Sequence, residues 1–177
     1  NSSDTEDDNI AIGFDSMTTN TAGGTGNVAL GNYTLDALTS GDENIAIGHE
    51  ALTANTTGLR NVAVGAANLD ANTTGNYNTS IGYGGLSSNT TGANNTAVGN
   101  EALLANTTGA DNTAVGTSSI GNNTTGARNT AVGMNSLNAN TTATDNTSVG
   151  YNSLLANTTG TRTVSYTHLT LPTRKLV

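Results

Sequence analysis

The sequence predicts an all-β fold, a parallel β-solenoid of nine 17-residue coils, and three observations carry that expectation. A motif Asn-x-[Ala/Ser]-aliphatic-Gly begins at Asn9, Asn27, Asn44, Asn61, Asn78, Asn95, Asn112, Asn129 and Asn146. The first interval is 18 residues and every later one is 17. A fixed short period marks a repeat architecture, and 17 residues are too few for paired helices or a propeller blade. The second observation is that the residue after Asn is always β-branched, from Ile10 and Val28 to Thr130 and Thr147. Such residues favour extended backbone. The third is a recurrent Asn-Thr-Thr-Gly, as at 106–109, that closes six of the nine units.

With Asn as position 1, positions 2–4 read as a short strand. Gly at position 5, present in every unit, marks a bend, because glycine reaches backbone angles closed to other residues. A second segment carries one large apolar residue at position 9: Met17, Leu35, Leu52, Leu69, Leu86, Leu103, Ile120, Leu137 and Leu154. The other large apolar position is 4: Ile12, Leu30, Ile47, Val64, Ile81, Val98, Val115, Val132 and Val149. These two rows are expected to form the core. Position 3, always Ala or Ser, is expected to form a small-residue face that packs on other chains. So few large apolar groups per coil leave a thin rod short of buried surface. At about 4.8 Å per coil the rod would be about 43 Å long.

Asn at position 12 belongs to a sequon at Asn55, Asn72, Asn89, Asn106, Asn123, Asn140 and Asn157, which makes these seven residues candidate glycan acceptors. The corner reading explains more. Asn and Gly both suit tight turns, and stacked Asn side chains can form an amide ladder between coils. A third reading makes the Thr rows an ice- or ligand-binding face.

The rest of the composition argues by exclusion. The chain has 177 residues, 22 Gly, no Cys and a formal charge of -8. That charge disfavours nucleic acid, and no apolar run reaches membrane-spanning length. His49 stands alone among the repeats, and Asp70, Glu101, Asp111 and Asp145 scatter over variable positions. No catalytic constellation, cofactor motif or metal set is expected. The acidic cluster Asp4, Glu6, Asp7 and Asp8 reads as a solvated edge. Residues 1–8 are thus expected to be the acidic edge of a fragment, and residues 9–162 the repeat domain.

The register fails at Thr163, where a tenth Asn is due. Residues 164–173, Val-Ser-Tyr-Thr-His-Leu-Thr-Leu-Pro-Thr, resemble the in-frame translation of a transposase-end sequencing adapter. Residues 163–177 are therefore expected to be a non-native tail.

At Asn-[Thr/Ile/Val]-Ala-[Val/Ile/Leu]-Gly the chain resembles the head repeats of trimeric autotransporter adhesins, whose units carry Asn-Ser-Val-Ala-Ile-Gly. It also resembles repeats of phage tail-fibre-like and bacterial surface proteins. The resemblance covers 9–162 and implies a left-handed β-roll assembled as a homotrimer, with Val or Ile inward. It departs from the adhesin heads in its longer unit. The function it implies is a structural and adhesive segment of an extracellular fibre on a bacterial surface or phage virion. Receptor contact would fall to variable positions 6, 7, 10, 16 and 17, and the receptor would be a host-surface or matrix molecule. An ice-binding solenoid and a glycosylated surface-layer rod are the alternatives.

Overall fold

The computed structural model describes residues 8–20 and 23–167. They contain no helix. Ten three-residue strands run β1 (Ile10–Ile12), β2 (Val28–Leu30), β3 (Ile45–Ile47), β4 (Val62–Val64), β5 (Thr79–Ile81), β6 (Thr96–Val98), β7 (Thr113–Val115), β8 (Thr130–Val132), β9 (Thr147–Val149) and β10 (Val164–Tyr166). They form one parallel sheet in sequence order. Like pairs with like at each step, as in Thr96↔Thr113, Ala97↔Ala114 and Val98↔Val115. The chain is a parallel β-solenoid, as its period predicts.

Hydrogen bonding between coils extends well beyond the strands. In the coil 95–111, Thr96, Leu103, Ala105 and Thr107 donate their N–H groups forward to the next coil, while Gly99, Glu101 and Asp111 donate back. The coil closes because three of its positions take left-handed backbone: 7, 9 and 17. In this coil they are Glu101 (φ 55°), Leu103 (φ 53°) and Asp111 (φ 58°). Non-glycine residues adopt that region at a cost. All three N–H groups are bonded to neighbouring coils at 2.8–3.0 Å, so stacking offsets the strain. Gly116 at position 5 has φ 126°, and a Cβ there would lie 2.7 Å from the Gly133 carbonyl carbon.

The interior overturns one expectation about facing. The middle residue of each strand from β2 to β9 points inward: Ala29, Ala46, Ala63, Ser80, Ala97, Ala114, Ala131 and Ser148 are all fully buried. Strand alternation then turns positions 2 and 4 outward. Ile12 is 61% exposed and Leu30 44%; Ile81, Val115, Val132 and Val149 are exposed too, and Ile47, Val64 and Val98 are half-buried. Position 4 is outer face rather than core, and position 3 is lumen rather than contact face. The physical reason is width. The lumen already holds the buried position 9 row from Met17 to Leu137 and the Asn side chains of positions 1 and 12, so opposite them only a small residue fits. Leu154 is partly buried against this core.

One local exchange shows how tight the lumen is. Position 8 is usually small, but Asn68 occupies it in the fourth coil. Ser80 donates to Asn68 Oδ1 at 2.6 Å and the next coil carries Gly85, whose added Cβ would come within 3.0 Å of that oxygen.

Past Arg162 the sheet continues for one strand. Val164–Tyr166 pairs in register with β9, and Thr163 N–H donates to Asn146 Oδ1 at 2.9 Å. A parallel edge accepts any three extended residues in phase, because the ladder is made by backbone. The Asn and Gly of the repeat are lost, with Thr163 at position 1 and Thr167 at position 5, while Val164 and Ser165 keep the residue types of positions 2 and 3. Residues 168–177 of the expected tail, like Asp4, Glu6 and Asp7 of the acidic cluster, lie outside the described residues.

Ile120 is the one β-branched residue at position 9, with φ 49°, where branching is least tolerated. Ile120→Leu is expected to stabilise by about 0.5–1 kcal/mol, read from urea unfolding. Leu103→Ala, fully buried, is expected to cost about 2–5 kcal/mol.

Candidate functional site

Two amide ladders run along the rod. At position 12, Asn106 Nδ2 donates to Asn89 Oδ1 in the preceding coil at 2.9 Å and to Gly109 O in its own corner at 3.0 Å. Asn106 Oδ1 in turn accepts from Asn123 Nδ2 at 2.7 Å. The same pattern links Asn72 to Asn55, Asn89 to Asn72 and Asn140 to Asn123. Position 13 adds a hydroxyl row, since Thr107 Oγ1 donates to Thr124 O at 2.9 Å. Glycine at position 15 follows from crowding, as a Cβ on Gly109 would collide with Asn106 Oδ1 and Gly126 O.

The glycan assignment is corrected by this geometry at six of the seven residues. Asn55, Asn72, Asn89, Asn106, Asn123 and Asn140 are fully buried, and Nδ2, the atom a glycan would occupy, is spent on hydrogen bonds. Asn157 is half-buried and bonds Gly160 O at 2.9 Å. Their sequon is a by-product of the ladder. Leu38, the exception at position 12, is also fully buried; it fills the space with apolar volume and interrupts the ladder.

The second ladder, at position 1, was not legible as such. Asn95 Oδ1 accepts from both the N–H and the Nδ2 of Asn112, at 3.0 and 3.1 Å. Asn95 Nδ2 reaches Gly109 O at 2.8 Å, where Asn106 also donates, so one glycine carbonyl ties both ladders together. Ala143 replaces Gly at position 15, and beside it Asn140 Oδ1 is buried without a partner, Asn157 Nδ2 of the next coil donating to Gly160 O instead.

Outside the lumen, position 4 makes an apolar row down the face of the sheet, and position 2 a row that is aliphatic in β1–β4 and Thr in β5–β9. No charged residue occupies either row in any of the ten strands. Ile10, Ile45, Val164 and Tyr166 join the exposed position 4 residues there. Charge collects at the edges instead. At position 17, Arg60 Nε lies 2.5 Å from Glu43 Oε2, donates to Tyr77 Oη at 3.0 Å and stacks over that ring. Arg128 pairs with Asp145 at 2.6 Å, which holds the Asp145 carboxyl below its usual range. Asp111 accepts from Asn94. Phe14, Tyr33 and His49 stack edge to face, and His49 faces Glu50 at 3.6 Å.

Among the described residues no group of three or more His, Cys, Asp or Glu gathers as a metal set. No helix there is long and apolar enough to cross a membrane. Glu101 sits at a left-handed corner. Asp70 is half-buried with Oδ1 unpartnered, and burial pushes its carboxyl above the usual range.

The fold and its surfaces define a repeat protein of the parallel β-solenoid class, built around paired amide ladders. No protein-family model, no curated protein and no solved structure matches the chain.

Asn106→Ala is expected to cost about 2–4 kcal/mol, since Asn89 Oδ1 and Asn123 Nδ2 each lose a buried partner; Ala143→Gly should raise stability. An oligosaccharyltransferase offered the folded chain is expected to leave Asn55 to Asn140 unmodified, read by peptide mass mapping. Asp70 binds its proton more tightly folded than unfolded. Its stabilising influence is therefore full below the ordinary carboxylate pKa and fades as pH rises through the raised value. Asp70→Asn should flatten that slope and raise the melting temperature at pH 7.

Proposed function

We propose that the chain is a structural and adhesive segment of an extracellular surface or tail fibre, a stiff rod assembled as a trimer. The observation that carries this reading is the uncharged outward face of the sheet, where position 4 is apolar from β1 to β9 and position 2 is aliphatic in β1–β4. Isolated exposed apolar residues need no explanation, but an apolar stripe continuous along the molecule marks an interaction surface. The trimer and a left-handed coil follow the resemblance to trimeric autotransporter heads. In that assembly Val and Ile at positions 2 and 4 face the other chains, which recovers the inward apolar residues as inward to the trimer. Variable positions 6, 7, 10, 16 and 17 then remain on the outside for a host-surface or matrix receptor, on a bacterial cell or a phage virion.

A second reading is favoured by one observation. Thr79, Thr96, Thr113, Thr130 and Thr147 form an in-register row on the outward face of β5–β9, the regular hydroxyl array an ice-binding solenoid would use. The two readings compete for one face.

Sedimentation equilibrium separates them. The expected particle mass is three times the 17.7 kDa chain. A folded monomer at all concentrations overturns the fibre reading, and thermal hysteresis from that monomer would establish the ice-binding one.

A further inference from the structure

The corner that follows the sheet carries a pattern the lumen does not need. Position 6 is exposed in every coil except at Ala66, which is half-buried. Its backbone is held in register, because each position 6 carbonyl accepts the position 7 N–H of the next coil. Phe14 accepts from Tyr33 in this way and Tyr83 from Glu101, both at 2.8 Å. Numbered from the coil that starts at Asn9, odd coils present Phe14, His49, Tyr83, Thr117 and Tyr151, and even coils Asn32, Ala66, Asn100 and Met134. Every ring in the row falls on an odd coil. The scaffold repeats at each coil, so a pattern that repeats at every second coil answers to something outside the chain.

The rings are open to contact. Phe14 is 62% exposed, Tyr83 58% and Tyr151 61%. Tyr33, half-buried at position 7 of the second coil, meets both Phe14 and His49 edge to face with centroids at 5.6 Å, contacts that brace the two rings. Hydrogen-bonding groups lie between the odd coils: Asn32 Nδ2 and the Asn100 side-chain amide have no partner in the chain among the described residues. Charge narrows the partner. Positions 6 and 7 of the nine coils hold Asp15, Glu50 and Glu101 and no Lys or Arg, which repels a polyanion.

The doubled step is about 10 Å, twice the spacing of paired strands. An extended β-1,4-linked glycan turns the same face of a sugar ring to one side at every second residue, with nearly that step. The C–H face of a pyranose buries apolar surface on an aromatic ring, while its rim hydroxyls bond side-chain amides. We propose that position 6 is a linear binding site for an extended, uncharged β-1,4-linked glycan. Phe14, His49, Tyr83 and Tyr151 lie under alternate sugars, and Asn32 and Asn100 bond the hydroxyls between. The inference rests on the reading of the corners as the receptor-facing surface, and adds the chemical class of the receptor and its register. Thr117 is the vacant step of the series.

Depletion of the full chain by insoluble chitin and by cellulose tests it, the two arms separating an acetamido-bearing chain from a plain glucan. Binding to at least one is expected. Tyr83→Ala with Tyr151→Ala is expected to weaken it about tenfold or more, and Thr117→Tyr, which fills the vacant step, to strengthen it about threefold. Met134→Tyr places an equal ring in an even coil and is expected to add nothing; a gain equal to that of Thr117→Tyr overturns the two-coil register. Thr91→Ala with Thr125→Ala, exposed residues of another corner, is expected to leave binding unchanged, and an equal loss there overturns the assignment to position 6. Urea unfolding confirms that each variant folds. Binding to neither polymer, or equal binding to α-linked starch or to the polyanion alginate, overturns the proposal. Sedimentation of the same samples keeps the two readings apart. A trimer that binds neither polymer overturns the glycan site alone, and a monomer that binds one overturns the fibre reading alone.

Discussion

The buried amide is the constraint on which the rest of the structure depends. An Asn side chain carries two donors and an acceptor, and enclosing it without partners costs several kcal/mol. Here two such side chains per coil are enclosed, at positions 1 and 12, and each finds partners in an adjacent coil and in its own corner. The position 1 ladder tolerates one extra residue in a coil, since across the 18-residue first interval Asn27 Nδ2 still donates to Asn9 Oδ1 at 3.1 Å. The ladders fix the lumen width, the width admits only Ala or Ser at position 3, and the strand's alternation then sends positions 2 and 4 outward.

The fold class was legible because period is a global property that one chain displays nine times. What the sequence could not display was facing. A three-residue strand with large apolar residues at both ends and a small one between is consistent with either orientation, and the usual rule that large apolar residues go inside chose wrongly for Val98 and Val115. Lumen width decides the matter, and it is set by Asn residues that sit elsewhere in the unit. Leu103 was placed by the same rule, and there it faces inward because the left-handed backbone at position 9 turns it onto the Asn ladders. Sequons posed a related problem. Asn106-Thr107-Thr108 is a local pattern, whereas the fate of Asn106 Nδ2 is settled by Asn89, 17 residues away.

The same geometry explains which residues are free to vary. Positions inside the lumen are held by volume or by hydrogen bonds in three dimensions. Positions 7 and 17 are fixed only in backbone: every described example is left-handed, yet the side chains include Tyr33, Glu50, Ser118 and Asn152 at one and Glu43, Arg60, Tyr77 and Asp111 at the other. A conformation that most residues tolerate poorly is imposed by bonds to the adjacent coils, so identity is released while direction is kept. Diverse side chains are therefore displayed in straight rows with a fixed step, and they pair along those rows, as Glu43, Arg60 and Tyr77 do.

Such an arrangement separates cohesion from recognition. The lumen holds one coil to the next and is indifferent to what stands at the corners. From β1 to β9 the sheet face carries no charge and varies only between aliphatic residues and Thr. The corners carry the charge and most of the aromatic groups, at positions where exchange costs the fold little. A receptor would read those corners. Because each corner residue is set by one codon and constrained by no partner in the lumen, specificity can change without retuning the rod. The features that recur nine times are those that build the scaffold.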